Sequence, residues 1–144
     1  SAEDRAALVE GIKDGTIDMI ATDHAPHSIE EKSRGLKDSA MGIVGLETAF
    51  AALNTHLVKK GIITLEHLVK IMSENPRKVF RIEGGIEVGE RADVVLLDVN
   101  KQWRVDSEKF YSMGKITMFD GREMTGDVVM TLHRGEVVYD NKNK

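Results

Sequence analysis

A chain of 144 residues has the length of a single domain, enough to bury a core. Its formal charge of −4, from 20 basic and 24 acidic side chains, leaves no basic field for nucleic acid. It has no cysteine, so neither a disulfide nor a thiolate metal site can form, and no apolar run approaches the roughly 20 residues of a membrane span. Any metal must therefore be held by His, Asp, Glu or a modified Lys, and the composition is that expected of a cytoplasmic protein.

The first segment reads as a helix, capped by Ser1 or Asp4, with Ala7, Leu8 and Ile12 near one face and Gly15 as its stop. Thr16 to Ala21 is then a short buried strand, apolar and rich in β-branched residues. Ser28 to Ser39 is charged and lacks apolar periodicity, which predicts a mobile surface loop. Leu46, Phe50, Leu53 and Leu57 recur at three- and four-residue spacing, predicting a long helix from Ile43 or Val44 to about Lys60, closed by Gly61. Thr64 caps a further helix with Leu65, Leu68 and Ile71 inward. Asn75 and Pro76 restart a short one as cap and first residue, ending near Phe80.

Beyond Arg81 the character changes. Gly84, Gly85 and Gly89 punctuate a turn-rich stretch, and Ala92 to Val99 reads as a buried strand that Trp103 to Val105 extends. Ser107 to Tyr111 fits one helical turn. Asp127 to Tyr139 reads as two β-rich runs joined at Arg134-Gly135, a hairpin, followed by a frayed Lys/Asn tail. Residues 1–82 are thus helical and 83–144 β-rich. One strand among at least three helices is too little sheet for an α/β domain. The helical part therefore reads as the tail of a larger barrel, with Ser1 as a cut.

The richest local signal is Ala21-Thr22-Asp23-His24-Ala25-Pro26-His27. An apolar run ends in a carboxylate and two imidazoles, and Pro26 prevents regular continuation, as where a buried strand delivers ligands at its C-terminal end. Asp23 can bind a metal or accept a proton, although an Asp-His pair can also cap the turn after a strand. His24 would point away from such a site, so orienting or packing suits it better than ligation.

These residues resemble the eighth-strand motif of the dihydroorotases of many bacteria, a cyclic-amidase branch of the amidohydrolase superfamily. Met41-Gly42-Ile43-Val44-Gly45-Leu46-Glu47-Thr48 is similar to that family's loop-to-helix signature. Asn75-Pro76-Arg77-Lys78-Val79-Phe80 and Gly89-Glu90-Arg91-Ala92-Asp93-Val94-Val95 resemble motifs of the wider superfamily. Residues 3–139 follow the family's C-terminal third. The sequence departs from it at Ser39-Ala40-Met41, often Ala-Pro-Phe, and at Thr117-Met118-Phe119, commonly Thr-Pro-Phe. Losing those prolines leaves the loops more unfolded-state freedom.

The resemblance implies an α/β fold: 1–82 as the last strand and final helices of a (β/α)8 barrel, and 83–144 as C-terminal strands of a small β-sandwich. It implies interconversion of dihydroorotate and N-carbamoyl-aspartate in pyrimidine biosynthesis, with one or two Zn²⁺ lowering the pKa of bound water. Asp23 matches the family's metal ligand and proton-transferring carboxylate. His27 matches the residue that binds the substrate carboxylate, and the Met41-Gly42 backbone matches the loop that bonds the ureide. The remaining ligands lie upstream in the family, so the 144-residue chain alone is expected to be inactive. A homo-oligomer and association with aspartate transcarbamoylase are also implied, with neither nucleic acid nor membrane as partner. Other cyclic amidases (hydantoinase or allantoinase) and a non-catalytic dihydroorotase-like scaffold remain as alternatives, and His27 discriminates among the amidases.

Among the other polar residues, His56, His67 and His133 read as surface or satisfied structural histidines, and Asp93 and Asp98 as turn formers. Glu30-Glu31-Lys32 reads as a solvated loop face, and Trp103 and Phe110 as core.

Overall fold

The computed structural model describes residues 1–143. The first helix, α1 (Ala2–Asp14), starts and stops where its residues dictate. Ser1 Oγ accepts the Asp4 N–H while Asp4 reaches back to the Ser1 backbone, and Gly15 takes the left-handed conformation (φ 83°) that ends the helix. The stretch that follows corrects the expected strand. Thr16 to Ala21 forms no ladder among the described residues, because no second strand lies beside it. Instead the Ile17 N–H bonds Gly11 O, the Ile20 N–H bonds Ile71 O, and Asn75 Nδ2 donates to Asp18 O at 2.7 Å. Asn75 therefore sits inside a helix and ties it to this stretch rather than capping the start of a new one.

The expected loop over 28–39 carries two single-turn helices, α2 (Ile29–Lys32) and α3 (Gly35–Asp38). Ser28 and Glu31 form a capping box on α2, a signal present in the sequence but hidden by the missing apolar periodicity. The next helix begins later than its periodicity predicts, as α4 (Ala49–Leu53), and continues through a wider π turn over Asn54–Val58. Thr64 caps α5 (Leu65–Val69) through the His67 N–H. A second π turn, Lys70–Glu74, leads into α6 (Asn75–Phe80), which Arg81 closes at φ 54°.

The β part is a three-stranded antiparallel sheet in the order β1 (Val94–Arg104), β2 (Glu123–His133), β3 (Glu136–Asp140). Trp103 pairs with Met124 and Val94 with Leu132, and the β1–β2 register shifts between Asp98 and Gln102. There Asp98 accepts the N–H groups of Asn100 and Lys101. The hairpin falls at Arg134-Gly135, both at positive φ, the two-residue turn that suits strand twist. The expectation of a buried β1 is corrected, since Val95 and Leu96 are exposed and only Val94, Leu97, Val99 and Trp103 are half-buried. The tail is less frayed than expected. Asn141–Asn143 forms a 3-10 turn with Asn141 Nδ2 on Asp127, while Lys144 lies outside the described residues.

Two apolar clusters hold the molecule together. Leu57, Ile63, Leu68 and Ile71 gather Ile12, Ile20, Phe50 and Leu53 among the helices. Ala51, Val105 and Met124 gather Trp103, Phe110 and Phe119 between α4 and the sheet. Helices and sheet thus share one interface, and Asn54 pins it. Its buried amide donates to Val99 O and Thr125 O, and Thr55 Oγ1 accepts the Thr125 N–H. The second strand makes room at Gly126, where an added Cβ would stand 2.8 Å from the Phe50 ring.

Candidate functional site

Three segments meet around the Asp23 motif. The first is the motif itself. Asp23 turns the chain at φ 48°, a left-handed conformation that an aspartate tolerates better than most residues. Such backbone outliers gather at functional sites. Its carboxylate is exposed and has no hydrogen bond or ion pair among the described residues. No three His, Asp or Glu side chains cluster as a metal-ligand set among the described residues.

The second segment, 40–46, runs alongside the first. His24 and Ile43 form a parallel bridge, and the Ala25 N–H bonds Ile43 O at 2.9 Å. Gly42, at φ 110°, lies so close that a Cβ there would stand 2.5 Å from that of Ala25. His24 Nδ1 accepts the N–H groups of Gly45 (3.2 Å) and Leu46 (3.3 Å). That is the orienting role expected of it, and it places the ring proton on Nε2. It also explains the late start of α4, whose approach is held by this imidazole rather than by helical bonds.

Lys32 is the residue that the sequence reading placed wrongly. It is half-buried, not on a solvated face, and its ammonium donates to Ala40 O and Gly42 O, both at 2.8 Å. The loop is stitched further by Ser39 Oγ on Lys32 O and the Ala40 N–H on Glu31 O. Met41 between them is exposed, and the N–H groups of Met41 and Gly42 have no partner among the described residues. Glu31 accepts the Ser28 N–H and hydroxyl, which hold its carboxyl below the usual range, and it lies 3.8 Å from His27 Nδ1.

The third segment was not foreseen. Glu47 accepts the N–H groups of Tyr111 and Ser112, and the Val44 N–H bonds Ile116 O. This brings buried Gly114 onto the motif, where a Cβ would meet Pro26 Cβ at 2.9 Å and the His27 nitrogen at 3.1 Å. No local signal marks such a glycine, because its reason is a distant proline. The structure therefore brings the Asp23–His27 stretch against the Met41-Gly42 loop. It leaves exposed His56 apart, on the π turn after α4, and His133 on the hairpin, 3.0 Å from Asp93. His67 is not the satisfied histidine expected, since its buried Nε2 has no partner among the described residues. A cavity of about 370 Å³ between α4 and the sheet, walled by Phe50, Trp103, Phe110 and Tyr139, contains none of the candidate site residues.

Comparison with known proteins agrees with these motifs. The profile of the amidohydrolase family matches residues 1–138. Dihydroorotases of Bacillus thuringiensis and Bacillus cytotoxicus are 47% and 48% identical over 142 residues, 98% of this chain and 33% of theirs. The chain thus spans about a third of the length of the relatives it matches. Among solved structures, an L-hydantoinase (dihydropyrimidinase) from Arthrobacter aurescens superposes with a TM-score of 0.88 at 40% identity. That match covers 97% of this chain and 32% of the other. A dihydropyrimidinase from Brevibacillus agri gives 0.86 at 29% identity, covering 94% and 31%. Mixed α/β architecture, motif and sequence point the same way, and the chain belongs to the amidohydrolase family.

Proposed function

We propose that this chain is the part of a dihydroorotase that supplies the proton-transferring carboxylate, Asp23, and the substrate-binding groups His27, Met41 and Gly42. Residues 1–82 would then complete a (β/α)8 barrel and 83–144 a small β-sandwich. The observation that carries the reading is the free Asp23 carboxylate on a strained turn, with the Met41-Gly42 loop bridged alongside. The near-50% identity to dihydroorotases over 98% of the chain supports the choice of reaction.

In that reaction water attacks the ring amide carbonyl and the ring C–N bond breaks. Asp23 would take the proton from the attacking water and return it to the leaving nitrogen. His27 would donate to the substrate carboxylate, and the Met41 and Gly42 N–H groups would bond ureide oxygen. A family zinc finds one candidate ligand here, Asp23, short of the three protein ligands that a catalytic zinc uses. His24 Nδ1 is already taken by backbone donors. Partnership with aspartate transcarbamoylase, a homo-oligomeric state and a cytoplasmic location belong to the same proposal. Among the described residues, no helix is long and apolar enough to cross a membrane.

The 40% identity to an L-hydantoinase favours a second reading, hydrolysis of an uncharged cyclic ureide. His27→Ala in the full-length protein separates the two. A hydrogen bond to a charged group contributes roughly 1.5–3 kcal/mol. Its loss should raise KM for dihydroorotate about 10- to 100-fold and leave turnover of an uncharged hydantoin unchanged. Unaltered dihydroorotate kinetics would rule out the dihydroorotase assignment.

A further inference from the structure

We propose that Lys32 is a positioning residue that fixes the Met41-Gly42 backbone as a double N–H donor for a substrate oxygen. This deepens the dihydroorotase reading and rests on it for the identity of the substrate. Its ground is the half-buried ammonium of α2 bound to Ala40 O and Gly42 O at 2.8 Å each.

The geometry follows from the peptide unit. A trans peptide is planar, with its N–H directed opposite to its C=O. Turning Ala40 O towards Lys32 therefore turns the Met41 N–H away from it. The peptide carrying the Gly42 N–H lies between two pinned neighbours, and Gly42 itself is wedged against Ala25 at φ 110°. Both N–H groups are without partners among the described residues. Bonds from an ammonium are stronger than neutral ones, and the charge sits at the carbonyl ends of these peptides. Ala40 O belongs to the peptide that carries the Met41 N–H and Gly42 O to the one that carries the Ile43 N–H, so the charge turns the Met41 N–H outward, while the Gly42 N–H is set by the two pinned peptides that flank it. Such a loop accepts a carbonyl or carboxylate oxygen and rejects a hydrogen-bond donor. Among the described residues Lys32 makes no hydrogen bond or ion pair with Asp23 or His27, so its effect belongs to binding rather than to proton transfer.

The test uses Lys32→Met and Lys32→Arg in the full-length protein, with two readouts. The first is the amide NMR signals of Met41 and Gly42. The second is the separate values of KM and kcat for dihydroorotate. In Lys32→Met both amide signals should shift or broaden and KM should rise about tenfold or more, with kcat nearly unchanged. Lys32→Arg, which keeps the charge and the donors, should recover most of the affinity. Unmoved amide signals in Lys32→Met, or a loss of thermal stability with KM unchanged, would overturn the proposal. A protein that binds no dihydroorotate, yet whose Met41 and Gly42 signals move in Lys32→Met and return in Lys32→Arg, would uphold the role of Lys32. It would overturn only the substrate.

Discussion

A Cβ added at Gly114 would stand 2.9 Å from Pro26 Cβ, closer than real carbon contacts allow, and 3.0 Å from its Cα, tighter than nearly all of them. Neither neighbour can swing aside, because one is a proline ring and the other is backbone. Gly114→Ala should therefore destabilise the protein by ~1–3 kcal/mol through overpacking and, under the role proposed for His27, weaken substrate binding by pushing that residue off its place. Gly85, with nothing within 4 Å, is the matched control, and Gly85→Ala should stay within about 0.5 kcal/mol. Thermal melts of both variants check the contrast, and equal melting temperatures would contradict the close packing of Gly114 against Pro26. Asp23, His27 and Pro26 were legible in the sequence because their chemistry is local: an apolar run, then ligand-type side chains, then a chain breaker. Gly114 and Lys32 were not. A lysine beside two glutamates reads as solvent-facing until the carbonyls that it meets, eight and ten residues on, are known.

At the scale of elements, the same contrast explains which boundaries the sequence reveals. Ser1 and Thr64 mark their helix starts through their own hydroxyls, and Gly15 and Arg134-Gly135 mark their turns through glycine's backbone freedom; the structure uses each of them. Thr16 to Ala21 has the composition of a strand, but a strand is a relation to a neighbour that composition cannot supply. The β hairpin is tied down by Asp93, one of the residues read as a turn former. It accepts the Arg134 N–H at 2.8 Å across the sheet end, with Arg91 Nε at 2.7 Å and His133 Nδ1 at 3.0 Å. The Arg134 N–H, helped by Arg91 and His133, holds its carboxyl below the usual carboxylate range against some desolvation. A depressed folded pKa stabilises fully above the unfolded value, about 3.9. The contribution is lost as pH falls below that towards the folded value. The melting temperature of wild type minus that of Asp93→Asn should therefore be positive at pH 7 and should shrink as pH falls below about 4. A difference that grows as pH falls below about 4 would contradict this account of the hairpin.

For the whole molecule, the helices and the sheet are joined by Asn54 and by the Ala51, Val105 and Met124 cluster, so the site loops are braced from both sides. Gly114 and Ile116 from the connection between β1 and β2 reach Pro26 and Val44 in the helical part. Two apparent halves, read from a change in composition near Arg81, thus meet around the candidate site. The sequence suggested the halves because helical and strand periodicities do not overlap. Their junction was hidden, since it depends on Asn54 and Thr55, polar residues on an otherwise apolar helix pattern. What this arrangement offers the chemistry is one free carboxylate held at a fixed turn. The most direct test is Asp23→Asn in the full-length protein, measured as kcat for dihydroorotate with KM and the melting temperature beside it. The amide is nearly isosteric but cannot carry a proton, so kcat should fall roughly 10²–10⁴-fold while KM and stability stay close to wild type. A variant that keeps more than about a tenth of the wild-type kcat, far above that range, would show that another group transfers the proton.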